Sequence, residues 1–154
     1  MERTTAKRIF DELLDMSGSG VSVNIKSRFP GGRNVGGKYS IGDHSVTMYL
    51  GEIKKQCMTL FGTLDGYEAM LRIVFAHELG HAEDPMLSEL SEEMDTCQTG
   101  LERKRIALRI EENAWDYARN LVPVQDRQMM ETVIFYSLEA YREAIALESA
   151  QEIA

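Results

Sequence analysis

The chain has 154 residues and a mass of 17.4 kDa, the size of one ordinary domain, able to bury a sizeable core without a disulfide or an oligomer. Hydrophobic residues make up 44% and charged residues 27%, which excludes global disorder. A formal charge of −8 with a pI near 4.9 excludes generic DNA wrapping, because phosphate binding needs a basic face.

The expected arrangement is one domain spanning residues 1–154, without a linker, a repeat or a low-complexity tract. Ile9, Phe10, Leu13, Leu14 and Met16 recur with helical period and form one apolar stripe, which ends at Ser17-Gly18-Ser19-Gly20. Val21, Val23 and Ile25 then alternate with Ser22, Asn24 and Lys26, the pattern of a half-buried strand. A glycine-rich loop, Pro30 to Gly37, leads to two β-prone runs, Lys38–Ile41 and Ser45–Leu50, separated by Gly42-Asp43-His44. The three runs predict a small sheet containing an antiparallel hairpin. After Gly51 the chain reads as helical. Asp65 is the expected N-cap of a helix that reaches back through Glu68 and runs to about Glu83, ahead of Asp84-Pro85. An acidic stretch, Ser88 to Asp95, reads as a solvated helix face. Helices are expected over Leu101–Leu121 and Val124–Ser149, parted by Pro123. The fold class is α+β.

Cys57 and Cys97 lack C-x-x-C spacing and read as buried thiols in a reducing compartment. Met1-Glu2-Arg3-Thr4-Thr5 carries no apolar signal-peptide core, and no run of about 18 apolar residues occurs. A cytoplasmic location is expected, with neither membrane nor nucleic acid as a direct partner.

Gly32 to Lys38 matches G-x-x-x-x-G-K, the opening of a phosphate-binding loop. The mechanism needs Ser or Thr next, at the start of a helix, and Tyr39 stands there in a β-prone run. An ATPase site is therefore not expected.

The residues that carry chemistry are His77-Glu78-Leu79-Gly80-His81, an H-E-x-x-H sequence in a chain with only three histidines. On a helix, positions four apart lie about 40° apart on one face, so both imidazoles can hold one ion. Glu78 sits roughly 100° from His77, placed to take a proton from a zinc-activated water without being a ligand. Met70, Ile73 and Val74 lead into the pair, so it points inward, where uncompensated ionisable rings would be costly. A catalytic zinc takes three protein ligands and keeps one open position. His44, Asp84, Glu111 and Glu112 are the candidates for the third. Glu111 lies on the apolar side of its helix, beside Ala107, Leu108, Ala114, Trp115 and Ala118, whereas Glu112 shares its side with Arg105, Asp116 and Arg119. This selects Glu111.

The H-E-L-G-H sequence followed by E-x-x-A-x-x-(aromatic)-A-x-x-L-x-P, here Glu111 to Pro123, resembles the ImmA/IrrE zinc metallopeptidases. The resemblance covers roughly Val21 to Pro123. It implies a gluzincin-type enzyme with His77, His81 and Glu111 as metal ligands, Zn2+ as cofactor and Glu78 as general base. It also implies a zincin-like fold, with a small, mainly antiparallel three-stranded sheet packed on a bundle that includes the H-E-x-x-H helix. Members occur in bacteria, mobile elements and phages, and known members cleave helix-turn-helix repressors. A transcriptional repressor is thus the protein substrate the resemblance suggests. The position after Ala114 is often Asn in that family and is Trp115 here.

Peptide hydrolysis also needs an edge strand to align substrate and a donor to the oxyanion. Ser45–Leu50 is the expected edge, and Tyr39, His44, Tyr136 and Tyr141 are the candidate donors. The leading expectation is a zinc metalloendopeptidase. The alternative is a catalytically inactive protein of phage or mobile-element origin that keeps the scaffold for interaction.

Overall fold

The first helix shows how the apolar pattern turns into packing. In the computed structural model, which describes residues 2–153, α1 runs Glu2–Ser17 and buries Ala6, Ile9, Phe10 and Leu13 on one face. Met16, expected on the same stripe, is instead 61% exposed, because it lies beyond the last turn that reaches the core. Three strands follow: β1 (Ser22–Lys26), β2 (Gly37–Ser40) and β3 (Ser45–Tyr49). The helices α2 (Leu50–Phe61), α3 (Tyr67–Ala82), α4 (Leu87–Thr96) and α5 (Gly100–Leu121) come next. A 3-10 turn (Val124–Asp126) then leads into α6 (Arg127–Ile153). Among the described residues, no helix is long and apolar enough to cross a membrane.

The sheet has the order β1-β3-β2 and is mixed, which corrects the mainly antiparallel expectation. The expected hairpin is present: β2 and β3 are antiparallel, with Gly37 opposite Met48 and Tyr39 opposite Val46. β1, however, lies parallel to β3 over the register Ser22–Ser45 to Lys26–Tyr49. β3 is therefore the central strand and not an edge. Its burial agrees, with Val46 and Met48 fully enclosed. The edge nearest the helices that carry the site is β2.

α3 is the axis of the molecule. Met70, Leu71, Ile73, Val74, Phe75, Ala76 and Leu79 are all buried, and a helix apolar on nearly every side must be enclosed. α1, α2, α5, α6 and the sheet enclose it. Phe10 of α1 meets Phe75 at 4.6 Å between ring centroids. α3 begins after Gly66 without a side-chain cap, and exposed Asp65 does not act as its N-cap. The backbone N–H of Asp65 instead donates to Thr63 Oγ1 at 3.1 Å, which shapes the turn before the helix. α5 has the cap that the sequence reading overlooked: Thr99 Oγ1 accepts from Glu102 N at 3.1 Å. Cys57 is a buried free thiol, whereas Cys97 is only half-buried, at the exposed end of α4.

Candidate metal centre

α3 presents His77 and His81 one turn apart, with ring centroids 4.6 Å from each other. α5 crosses α3 at small residues, and this brings the third group in. A methyl group added at Gly80 would overlap the backbone oxygen of Ala114, so the two helices touch backbone to backbone there. With no side chain between the helices, Glu111 reaches across. Its Oε1 lies 3.0 Å from His77 Nε2, and its Oε2 lies 3.0 Å from His81 Nε2. Zinc bonds of about 2.0–2.1 Å in a tetrahedral shell separate neighbouring ligand atoms by roughly 3.3 Å. The distance from each imidazole nitrogen to its carboxylate oxygen is close to that. Two histidines and one carboxylate form a donor set suited to zinc with one open position. The residues fit the ion.

Glu78 belongs to the same cluster. Ligand-type atoms of His77, Glu78 and His81 all lie within 4.8 Å of one another, and Glu78 Oε2 is 3.0 Å from His77 Nδ1. All four side chains are largely shielded, from 6% exposed for Glu78 to 14% for Glu111. Burial pulls the pKa of His77 down, but the Glu78 and Glu111 carboxylates outweigh it and raise the imidazole to about 10. Burial pushes Glu111 up, yet its bonds to His77 and His81 prevail and hold it well below the usual carboxylate range.

The cluster opens into a cavity of about 720 Å³. Loop residues Asn34–Gly36, strand β2, and faces of α2, α4, α5 and α6 line it. Gly37 is the cavity residue that the sequence reading passed over as part of the glycine-rich loop. A Cβ there would lie 2.7 Å from Glu78 Cγ, so the strand backbone rests directly on the Glu78 side chain. No local pattern signals this, since what a glycine touches is decided by tertiary packing. Trp115 is 3% exposed and stacks on His77 at 4.2 Å with 26° between planes.

The other candidates fall elsewhere. His44 is exposed in the β2–β3 turn at φ 50°, and its Nδ1 pairs with the hydroxyl of Tyr39 at 2.9 Å. Asp84 accepts from Met86 N at 2.8 Å and from Asn113 Nδ2 at 3.4 Å, which fixes the turn between α3 and α4. Glu112 faces a separate polar groove with Arg109, Asp116, Arg119 and Arg142. Tyr39, Tyr136 and Tyr141 all line the cavity. Tyr136 is 55% exposed. Tyr141 feels the site most: burial, then the charges of Glu111 and Glu78, push its phenol to about 12, against a smaller opposing effect of Arg33. A scan against family models and searches of curated proteins and of solved structures returned no match to this chain.

Proposed function

We propose that the chain is a zinc-dependent endopeptidase. The observation that carries this reading is the Glu111 carboxylate bridging the Nε2 atoms of His77 and His81 inside a cavity that also holds Glu78. His77, His81 and Glu111 would hold the ion. Zinc held there would supply Lewis acidity and would make a water molecule in the cavity more acidic. Glu78 accepts the proton of the attacking water and delivers it to the departing amine nitrogen. Tyr141 is the donor that the cavity offers to the developing oxyanion, because it lines the cavity, is less exposed than Tyr136, and lies near enough to Glu111 and Glu78 to feel their charges. The hydroxyl of Tyr39 is already shared with His44.

The substrate is a protein segment in extended form. β2 is an edge strand whose residues Gly37 and Tyr39 line the cavity, and an extended peptide can add to its unpaired backbone groups. The resemblance to the ImmA/IrrE enzymes makes a helix-turn-helix repressor the substrate type to try first.

Glu78→Gln tests the mechanism. The variant is expected to fold, to bind one zinc per chain, and to lose about 10²–10⁴-fold in cleavage of a fluorescence-quenched peptide library. Unchanged turnover would sink the mechanism. Metal analysis of His77→Ala and Glu111→Ala, each expected to lose zinc, tests the ligand set. Stoichiometric zinc in the wild type without cleavage of any peptide or repressor would instead favour an inactive interaction scaffold.

A further inference from the structure

Rotation of a histidine ring about its last torsion is soft, so surrounding contacts must fix where its nitrogens point. Three groups hold His77: Glu78 at Nδ1, Glu111 at Nε2, and Trp115 against the face of the ring. The hydrogen bond to Glu111 is one that a bound ion must replace, because the ion takes the place of the proton that Nε2 donates to the carboxylate. The stack on Trp115 involves no such atom and is compatible with both states. Trp115 follows Glu111 by four residues on α5, so one helix face supplies both the carboxylate and the aromatic surface. The indole is itself fixed: it is 3% exposed, and its Nε1–H donates to Ser137 Oγ on α6 at 3.3 Å. Its electron-rich face suits a ring that carries positive charge, as an imidazole does when protonated or bound to a metal.

We propose that Trp115 is a positioning residue of the metal centre, its indole setting the ring plane of His77 and through it the affinity of the site for zinc. This inference rests on the zinc reading above, and the experiment separates the two. Zinc affinity is measured by competition with a chromophoric chelator for the full-length wild type, Trp115→Phe and Trp115→Met, together with the Co2+ absorption spectrum. Phe keeps a flat ring, while Met fills space without one. Groups that orient a ligating histidine typically contribute 10–100-fold in affinity. Trp115→Met is therefore expected to bind zinc about 10–100-fold more weakly with an altered Co2+ spectrum, and Trp115→Phe to recover most of the loss. Wild-type affinity and spectrum in Trp115→Met, or equal weakening in the two variants, would overturn the proposal.

A second measurement needs no variant. Trp115 is the sole tryptophan of the chain, so stoichiometric Co2+ is expected to quench the protein's indole emission. Co2+ that binds without quenching would also overturn the proposal. A wild type that binds neither zinc nor Co2+ would remove the metal reading itself, a result distinct from a site that binds metal but ignores residue 115.

Discussion

Glycine 37 sets where Glu78 can be. The Glu78 side chain is 6% exposed, and on its strand side the backbone of β2 leaves no room for a methyl group. The same added Cβ would lie 3.0 Å from Met48 Sδ, so the new group is confined between Glu78 and the central strand. In Gly37→Ala the carboxylate must shift, while Glu111 and Trp115 still hold the ring of His77. A misplacement near 1 Å can cost about 100-fold in rate. The variant is expected to keep one zinc per chain while kcat falls by about that factor, read by metal analysis beside steady-state kinetics. An unchanged kcat would show that Glu78 tolerates displacement. The contrast with the candidate ligands is physical. His77 and His81 were legible because a four-residue spacing is a local property of any helix. Glu111 was legible because it interrupts an apolar face. Gly37 is defined by a residue 41 positions later, and no period reports such a contact.

Elements follow the same division between local and distant causes. The β2–β3 hairpin could be read because a short connection brings two β-prone runs together. The parallel pairing of β1 with β3 could not, since it depends on the β1–β2 connection passing over the central place that β3 takes and on which strand the helices cover. Placing β3 at the edge followed from taking sequence order for spatial order. The meeting of α3 and α5 was partly legible, in the small residues around Glu111, but its fulcrum is the contact of Gly80 with Ala114. A methyl at Gly80 would strike backbone, which cannot rotate away as a side chain can. Gly80→Ala is therefore expected to drive the helices apart, at about 1–3 kcal/mol of stability, the usual cost of overpacking a filled core. Withdrawal of Glu111 from the two imidazoles should then weaken zinc binding together with the loss of stability. Urea unfolding and zinc titration check the two effects. Stability lost with zinc affinity intact would show that Glu111 follows the movement.

At the scale of the molecule, the site depends on α6 being held across α3, because α6 supplies the Tyr136, Ser137 and Tyr141 wall of the cavity. The attachment is made at the start of α6. Asp126, in the turn that precedes it, is 5% exposed and takes two hydrogen bonds from Arg72 of α3, at 2.6 Å from Nε and 3.2 Å from the terminal nitrogen. Further along, Lys104 of α5 meets Glu148 of α6 at 2.9 Å, a more exposed pair worth little by itself. Met130, Val133, Ile134 and Leu138 bury the rest of the α6 face. Removing Asp126 leaves the partly exposed Arg72 with only the more distant Glu68 and Glu12 to compensate it, at a cost of about 1–3 kcal/mol, below that of a fully buried pair. Asp126→Ala is expected to lose that much in urea unfolding. Replacing both partners with apolar residues, as in Arg72→Met with Asp126→Leu, should recover most of the loss, because the penalty lies in the orphaned charge and not in the missing attraction. If the single variant lost no more than an exposed ion pair does, the hydrophobic face of α6 would be its whole attachment. Cleavage measured on the double variant then shows whether that face alone holds Tyr141 beside Glu78.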